Sequence, residues 1–269
     1  MVKFDWTICH TNYFNRPTFR MDECIMKRRC FIKSTGLIGM GLAVIPKLAF
    51  RHNAQSISYN ELIGKGNPEV FGNGYKLRKD AHKAFLDMSV KALKSNIKMK
   101  PVSSYRNFAH QNRIWERKYE QHINNGLSPI QSINKIIEYS TIPGTSRHHW
   151  GTDIDLIDAH VQQPKHVLNP KHFRNNGCFS KFKNWMDINA NQYGFYLVYN
   201  NETNREGFKY EPWHYSYKPL SQNYLREYQK LDLSTIMKTE QLMGSQYFSN
   251  EFTANYLNKN ILDINPVLL

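Results

Sequence analysis

Cysteine is scarce: four residues in 269, at positions 9, 24, 30 and 178. A body left with Cys178 alone can build neither a disulfide framework nor a four-cysteine zinc site. Long hydrophobic runs are also missing. The one apolar stretch of note, Leu37 to Phe50, is broken by glycines, Pro46 and Lys47, so it is too short and interrupted to span a bilayer as a mature helix. Acidic residues are few, with Asp+Glu 22 against Lys+Arg 36 and a net charge of +14. That excess calls for an anionic partner, yet the basic residues are scattered and no nucleic-acid motif accompanies them, so no nucleic-acid partner is expected. Internal repeats and low-complexity tracts are absent, and 41% hydrophobic with 22% charged residues suffices for a globular core.

The amino terminus reads as a targeting region, residues 1–54. Lys27-Arg28-Arg29-Cys30-Phe31-Ile32-Lys33 precedes a mildly hydrophobic, glycine-containing segment. This resembles a twin-arginine signal over about 26–50, with Met21 or Met26 as a natural start. Such a signal implies a periplasmic, bacterial protein whose mature form has no stable membrane insertion. Cys30 precedes the apolar segment, which argues against a lipoprotein box.

In the body, apolar residues at 77, 81, 84, 85, 88 and 92 recur with helical spacing and predict an amphipathic helix ending near Asn96. A strand is expected over Val102 to Tyr105 and a second helix over Phe108 to Ile123. Ser128-Pro129 supplies an N-cap and a first-turn proline for a third helix, with Ile130, Ile133, Ile136 and Ile137 facing inward. Asp153 to Ile157 alternates like a half-buried strand. A further helix runs past Phe182 and Trp185 to Gly194, followed by strands at Phe195 to Tyr199 and Trp213 to Tyr217 and a helix over Leu220 to Leu231. Helices packed on a few interleaved short strands predict an α+β fold with a small, mostly antiparallel sheet. The expected domain is 55–231, with 232–269 a C-terminal extension packing on it.

Three segments concentrate chemistry: Ser103-Ser104-Tyr105-Arg106 with Gln111; Ser146-Arg147-His148-His149-Trp150-Gly151-Thr152-Asp153-Ile154-Asp155; and Glu211-Pro212-Trp213-His214. A metal hydrolase needs two or three imidazoles or carboxylates on the metal, an open position, and a nearby carboxylate that takes a proton. His148, Asp155 and His214 meet the first need and Glu211 the last. Residues 153 and 155 share one face of a strand, so spacing alone leaves both aspartates eligible as ligands. Pro212 delays the start of the last strand, letting Glu211 and His214 face one pocket.

Ser-x-His-x-x-Gly-x-x-x-Asp, then Glu-x-Trp-His, with Ser-x-Tyr-Arg-x-x-x-x-Gln upstream, resembles the VanY-type D-alanyl-D-alanine carboxypeptidases over about residues 75 to 218. These zinc peptidases share a core with lysostaphin and the hedgehog signalling domain. The resemblance implies one Zn²⁺ on His148, Asp155 and His214, Glu211 as general base and Arg106 steadying the scissile carbonyl. It also implies a peptidoglycan stem peptide as partner, with Ser146 and Gln111 holding substrate and Tyr105 and Trp213 forming walls. Cell-wall polymers then offer an anionic match for the basic charge. Two positions depart from the pattern: Ser104 where the family usually has Gly, and Asp153 where it usually has a small residue. An L,D-carboxypeptidase or an L-Ala-D-Glu endopeptidase on the same core is the enzymatic alternative, and a non-catalytic zinc-containing wall-binding module the alternative of another class. His149, His160, His166 and His172 are expected to be ordinary core or surface residues.

Overall fold

The computed structural model describes residues 57–269; the targeting region at 1–54, with Arg28-Arg29, lies outside the described residues. A short helix α1 (Tyr59–Leu62) is capped by the Ser58 side chain and leads to α2 (Lys79–Leu93), whose buried stripe is Ala81, Phe85, Met88 and Ala92. Strand β1 occupies Met99–Ser103, beginning earlier than the expected Val102 to Tyr105. The register shifts between Pro101 and Ser103, and Ser103 then pairs with Asp155 of β2 as the last residue of the ladder. Beyond it, Ser104 Oγ accepts from Lys76 N at 2.9 Å and Tyr105 N donates to Lys76 O at 3.0 Å, which turns this segment away from the ladder.

Helix α3 (Phe108–Asn124) is capped by Asn107 and α4 (Pro129–Ile136) by a Ser128/Gln131 capping box. Ile133 and Ile136 of α4 are buried as expected, whereas Ile130 is exposed, because the first turn of the helix faces solvent. Then come a 3-10 turn at Arg147–Trp150, β2 (Asp153–Asp158), α5 (Ser180–Asn189), β3 (Phe195–Leu197) and β4 (His214–Tyr217). Helices α6 (Lys218–Tyr228), α7 (Leu233–Thr239) and α8 (Asn250–Tyr256) complete the order of the longer elements. The four strands form one antiparallel sheet ordered β1-β2-β4-β3, so the fold is α+β.

Alternation along β2 and β4 divides the sheet into an apolar and a polar face. Ile154, Leu156 and Tyr215 join the side chains of α2 and α5 in one core cluster. Asp153 and Asp155 lie on the other face of β2, opposite Ser216 and His214 of β4. Every residue of β2 is buried, not half-buried as alternation predicts, since the 3-10 turn packs against it. A second cluster joins Trp115, Trp150, Ile133 and Tyr224 to Leu233, Ile236, Phe248, Tyr256 and Leu268 from residues 232–269. Among the described residues, no helix is long and apolar enough to cross a membrane.

Candidate metal centre and its cleft

The site is assembled where the 3-10 turn runs into β2. Ser146 caps that turn by accepting from His148 N, and Gly151 closes it at φ 70°, a left-handed conformation that glycine adopts without a Cβ penalty. The turn delivers His148 to β2 just ahead of Asp155, while the ladder sets His214 directly across from Asp155. His148, Asp155 and His214 are all buried and each offers a ligand atom, all within 4.8 Å of one another. The two imidazole rings lie 4.7 Å apart between centroids.

The donor set fits a metal ion. Asp155 Oδ1 is buried without a hydrogen-bond partner, although an ionised carboxylate oxygen seeks a donor or a cation. Burial, then the Arg106 charge, lowers the His148 pKa to about 4 against the opposing pull of Asp155, leaving the neutral imidazole that a metal requires. Burial raises the Asp155 pKa, but the charge and hydrogen bonding of His148 and the charges of His214 and Arg106 outweigh it and hold the net value low. Two nitrogens and one carboxylate leave room for a further ligand, the pattern of a catalytic zinc site.

The two aspartates that spacing could not separate are distinguished by their partners. Asp153 Oδ1 accepts from Thr152 Oγ1 and Ser216 Oγ, each at 2.7 Å. Its Oδ2 accepts from Arg147 Nε at 2.9 Å and lies 3.0 Å from His214 Nε2. Asp153 is therefore fully engaged, while Asp155 has an oxygen to give. Burial opposes a charge on His214, yet hydrogen bonds to Asp153 and Glu211, with the Asp155 charge, raise its pKa, so a metal binding there would take the place of a proton on one ring nitrogen.

Glu211 belongs to the turn before β4, closed by the His214 N to Glu211 O hydrogen bond at 3.1 Å. Its Oε2 is 3.0 Å from His214 Nδ1. Burial raises its pKa, and the Asp155 charge adds to that effect, against the pull of His214 and Arg106. A carboxylate tuned upward in this way is suited to proton transfer.

Arg106 is tied to the turn through its backbone, N donating to His148 O at 3.1 Å. Its Nε is buried without a hydrogen-bond partner, and among the described residues no carboxylate lies within ion-pairing distance of its guanidinium. Burial lowers its pKa, opposed by the charges of Asp155 and Glu211. A cleft of about 330 Å³ is lined by the triad, Arg106, Ser146, Glu211 and Trp213 together with Arg147, Tyr199 and Lys118.

Tyr105 lines not the cleft but a neighbouring depression, with Gly74 and His110, that shares Arg106 with it. Gln111 stands outside the cleft: it is fully buried and its Nε2 donates to Thr141 O at 2.8 Å, because packing of α3 turns it toward the chain beneath the cleft wall. His149 is a buried, hydrogen-bonded residue that accepts from Gly144 N at 3.2 Å and pairs with Arg106 O at 2.7 Å. Lys118, Arg147 and Tyr199 were not singled out by sequence reasoning. Lys118 sits twelve places after Arg106 on α3, beside Arg117 and one turn past Arg113, and no motif in the sequence marks it.

A buried His-Asp-His triad beside a buried acid whose pKa is raised is the candidate centre of a metallopeptidase. The chain belongs to the VanY D-alanyl-D-alanine carboxypeptidase family, which matches it over residues 74–220. It is 30% identical over 133 residues to the bifunctional D-Ala-D-Ala dipeptidase and carboxypeptidase VanXYC of Enterococcus gallinarum, a match spanning 49% of this chain and 62% of that enzyme. It is also similar to the structure of VanYB in complex with D-alanine-D-alanine, at 21% identity and a TM-score of 0.47 over 66% of this chain and 92% of that one. A mutant D,D-pentapeptidase VanY in complex with Zn(II) gives 20% identity and the same TM-score of 0.47 over 68% and 90% of the two chains.

Proposed function

We propose that this chain is a zinc-dependent D-alanyl-D-alanine carboxypeptidase that removes the terminal D-Ala from peptidoglycan stem peptides in the bacterial periplasm. One observation carries the reading: a single cleft gathers the metal triad, the acid Glu211 and the cations Arg106 and Lys118. A non-catalytic zinc module has no need of the acid or of an unpaired guanidinium, and both are in place here.

His148, Asp155 and His214 would hold the zinc, which supplies Lewis-acid activation of water when bound. Glu211 takes the proton of the attacking water and returns it to the departing amine as the amide C–N bond breaks. Arg106 donates to the carbonyl oxygen as negative charge develops there, a contribution of about 3 to 4 kcal/mol for one well-placed donor. A substrate cut at its last residue also brings a free carboxylate. Lys118 lines the same cleft and has no acidic partner within ion-pairing distance among the described residues, so it is the cation we assign to that carboxylate. Burial lowers the Lys118 pKa, and the Arg106 and Arg117 charges add to that effect against the pull of Glu211.

The test is digestion of defined muropeptides followed by mass spectrometry. A pentapeptide stem ending in D-Ala-D-Ala is expected to lose one alanine in a reaction that chelators block. An intact pentapeptide beside a shortened tetrapeptide stem would make the enzyme an L,D-carboxypeptidase, and cleavage at L-Ala-D-Glu an endopeptidase; either result overturns D,D specificity. Export rests on Arg28-Arg29 with Phe31 and Lys33. Replacing both arginines by lysine keeps the charge and removes the paired guanidinium pattern, so the variant is expected to stay cytoplasmic, and undiminished periplasmic recovery would sink that proposal.

A further inference from the structure

Asp153 stands where the resembled pattern usually has a small residue, and it is fully buried behind the metal triad. A carboxylate in such a place needs compensation, and four donors supply it. Thr152 and Ser216 hold Oδ1, while Arg147 Nε and the His214 ring hold Oδ2. Arg147 is itself buried, its Nη2 donating to Ser216 Oγ at 2.8 Å and its guanidinium lying 4.8 Å from the Trp150 ring centroid. The aspartate therefore cannot swing toward the metal, and His214 meets a fixed acceptor.

We infer that Asp153, clamped by Arg147 and Ser216, is a positioning residue for the ligand His214. Both ring nitrogens meet a carboxylate oxygen at 3.0 Å, Nε2 at Asp153 and Nδ1 at Glu211, and of the two only Nδ1 also faces the candidate ligand Asp155, 3.8 Å from its Oδ1. Nδ1 is therefore the nitrogen turned toward the metal, and Nε2 keeps its proton toward Asp153. Asp153 thus selects the tautomer and holds the ring plane, as carboxylates behind metal-bound histidines do. Arg147 offsets the added negative charge, so the carboxylate can be buried beside a triad that already contains Asp155. This inference rests on the metal-centre reading and concerns which nitrogen of His214 serves it.

The decisive measurement needs no variant. Long-range ¹H–¹⁵N spectra of the ¹⁵N-histidine-labelled, zinc-loaded protein are expected to show His214 protonated at Nε2 and metal-bound at Nδ1. The opposite assignment overturns the inference. Asp153→Asn offers the neighbouring histidine an amide and is expected to weaken zinc binding about 10- to 100-fold in competition with a chromophoric chelator. In its cobalt-substituted form the visible ligand-field bands are expected to shift. A folded Asp153→Asn protein with wild-type zinc affinity and an unchanged cobalt spectrum would make Asp153 a structural residue only. Because that variant leaves Arg147 with a weakened partner, the double variant Asp153→Ala with Arg147→Met removes both charges together, and the same affinity loss is expected of it. Failure of the unmodified protein to bind zinc would instead strike the metal-centre reading itself, which separates the two failures.

Discussion

Asp155 on β2 and His214 on β4 are directly paired across the antiparallel ladder, with Asp155 Oδ1 3.8 Å from His214 Nδ1. The sheet register therefore sets the spacing between two of the three candidate ligands, and the 3-10 turn sets the third. Alanine at His148, Asp155 or His214 is expected to remove stoichiometric zinc, read by elemental analysis of the purified variant. Full zinc retention in Asp155→Ala would show that the metal lies elsewhere. Treating the unmodified protein with a chelator is expected to lower its thermal midpoint, since a ligand that binds only the folded state adds to its stability.

Glu211 lies within the same cluster but is given proton transfer, not coordination. Glu211→Gln is nearly isosteric and keeps a carbonyl oxygen for the 3.0 Å contact with His214, or turns its amide toward it. The variant is expected to bind zinc and to lose turnover by at least ~10². Zinc analysis beside a single-turnover assay checks both halves, and loss of metal would mean that ligand and base had been confused.

Much of the site was legible because its parts are local in sequence. Two imidazoles, a carboxylate and an acid sit in two segments shorter than a dozen residues, and the Ser128-Pro129 helix start and the helix-ending Gly194 follow from backbone chemistry alone. What escaped was tertiary. Nothing in the sequence marks Arg147 and Ser216 as partners of Asp153, because they meet only once β2 and β4 are paired. Gln111 reads as a substrate contact, but it is fully buried outside the cleft lining and its Nε2 donates to Thr141 O. Strand β1 starts three residues and ends two residues earlier than expected, its end set by the hydroxyl of Ser104 and the amide of Tyr105, which bind Lys76 across a connection the sequence does not reveal.

The C-terminal residues were expected to pack on the domain, and Tyr256 of α8 shows what such a contact can do. Its hydroxyl accepts from Ile142 N at 3.1 Å and lies 2.9 Å from Thr145 Oγ1. On the same stretch, Tyr228 donates to Gly144 O at 2.8 Å. This loop leads straight into Ser146 and His148. Tyr256→Phe leaves the buried Ile142 N–H without its acceptor, a loss of about 1 to 3 kcal/mol. Urea unfolding is expected to show a lower midpoint with the slope unchanged, and an unaltered midpoint would mean that the hydroxyl is replaceable by water.

Arg106 and Lys118 line one cleft without carboxylate partners at ion-pairing distance, yet they are assigned to different moments of the reaction, and kinetics can tell them apart. If Arg106 acts on charge that forms only as the carbonyl is attacked, Arg106→Ala must lower kcat by more than it raises KM, and by about 10² to 10³ for one lost donor. If Lys118 holds a carboxylate that is equally charged before and during the attack, its contribution is uniform binding, so Lys118→Met is expected to raise KM and leave kcat nearly unchanged. Substrate chemistry sharpens the contrast. Amidation of the terminal D-Ala removes the charge that Lys118 would bind, so the unmodified enzyme should lose on the amide about what Lys118→Met loses on the acid, and the variant should discriminate between acid and amide far less. Equal discrimination by both proteins would mean that Lys118 does not meet the carboxylate and that recognition of the chain end lies elsewhere in the cleft.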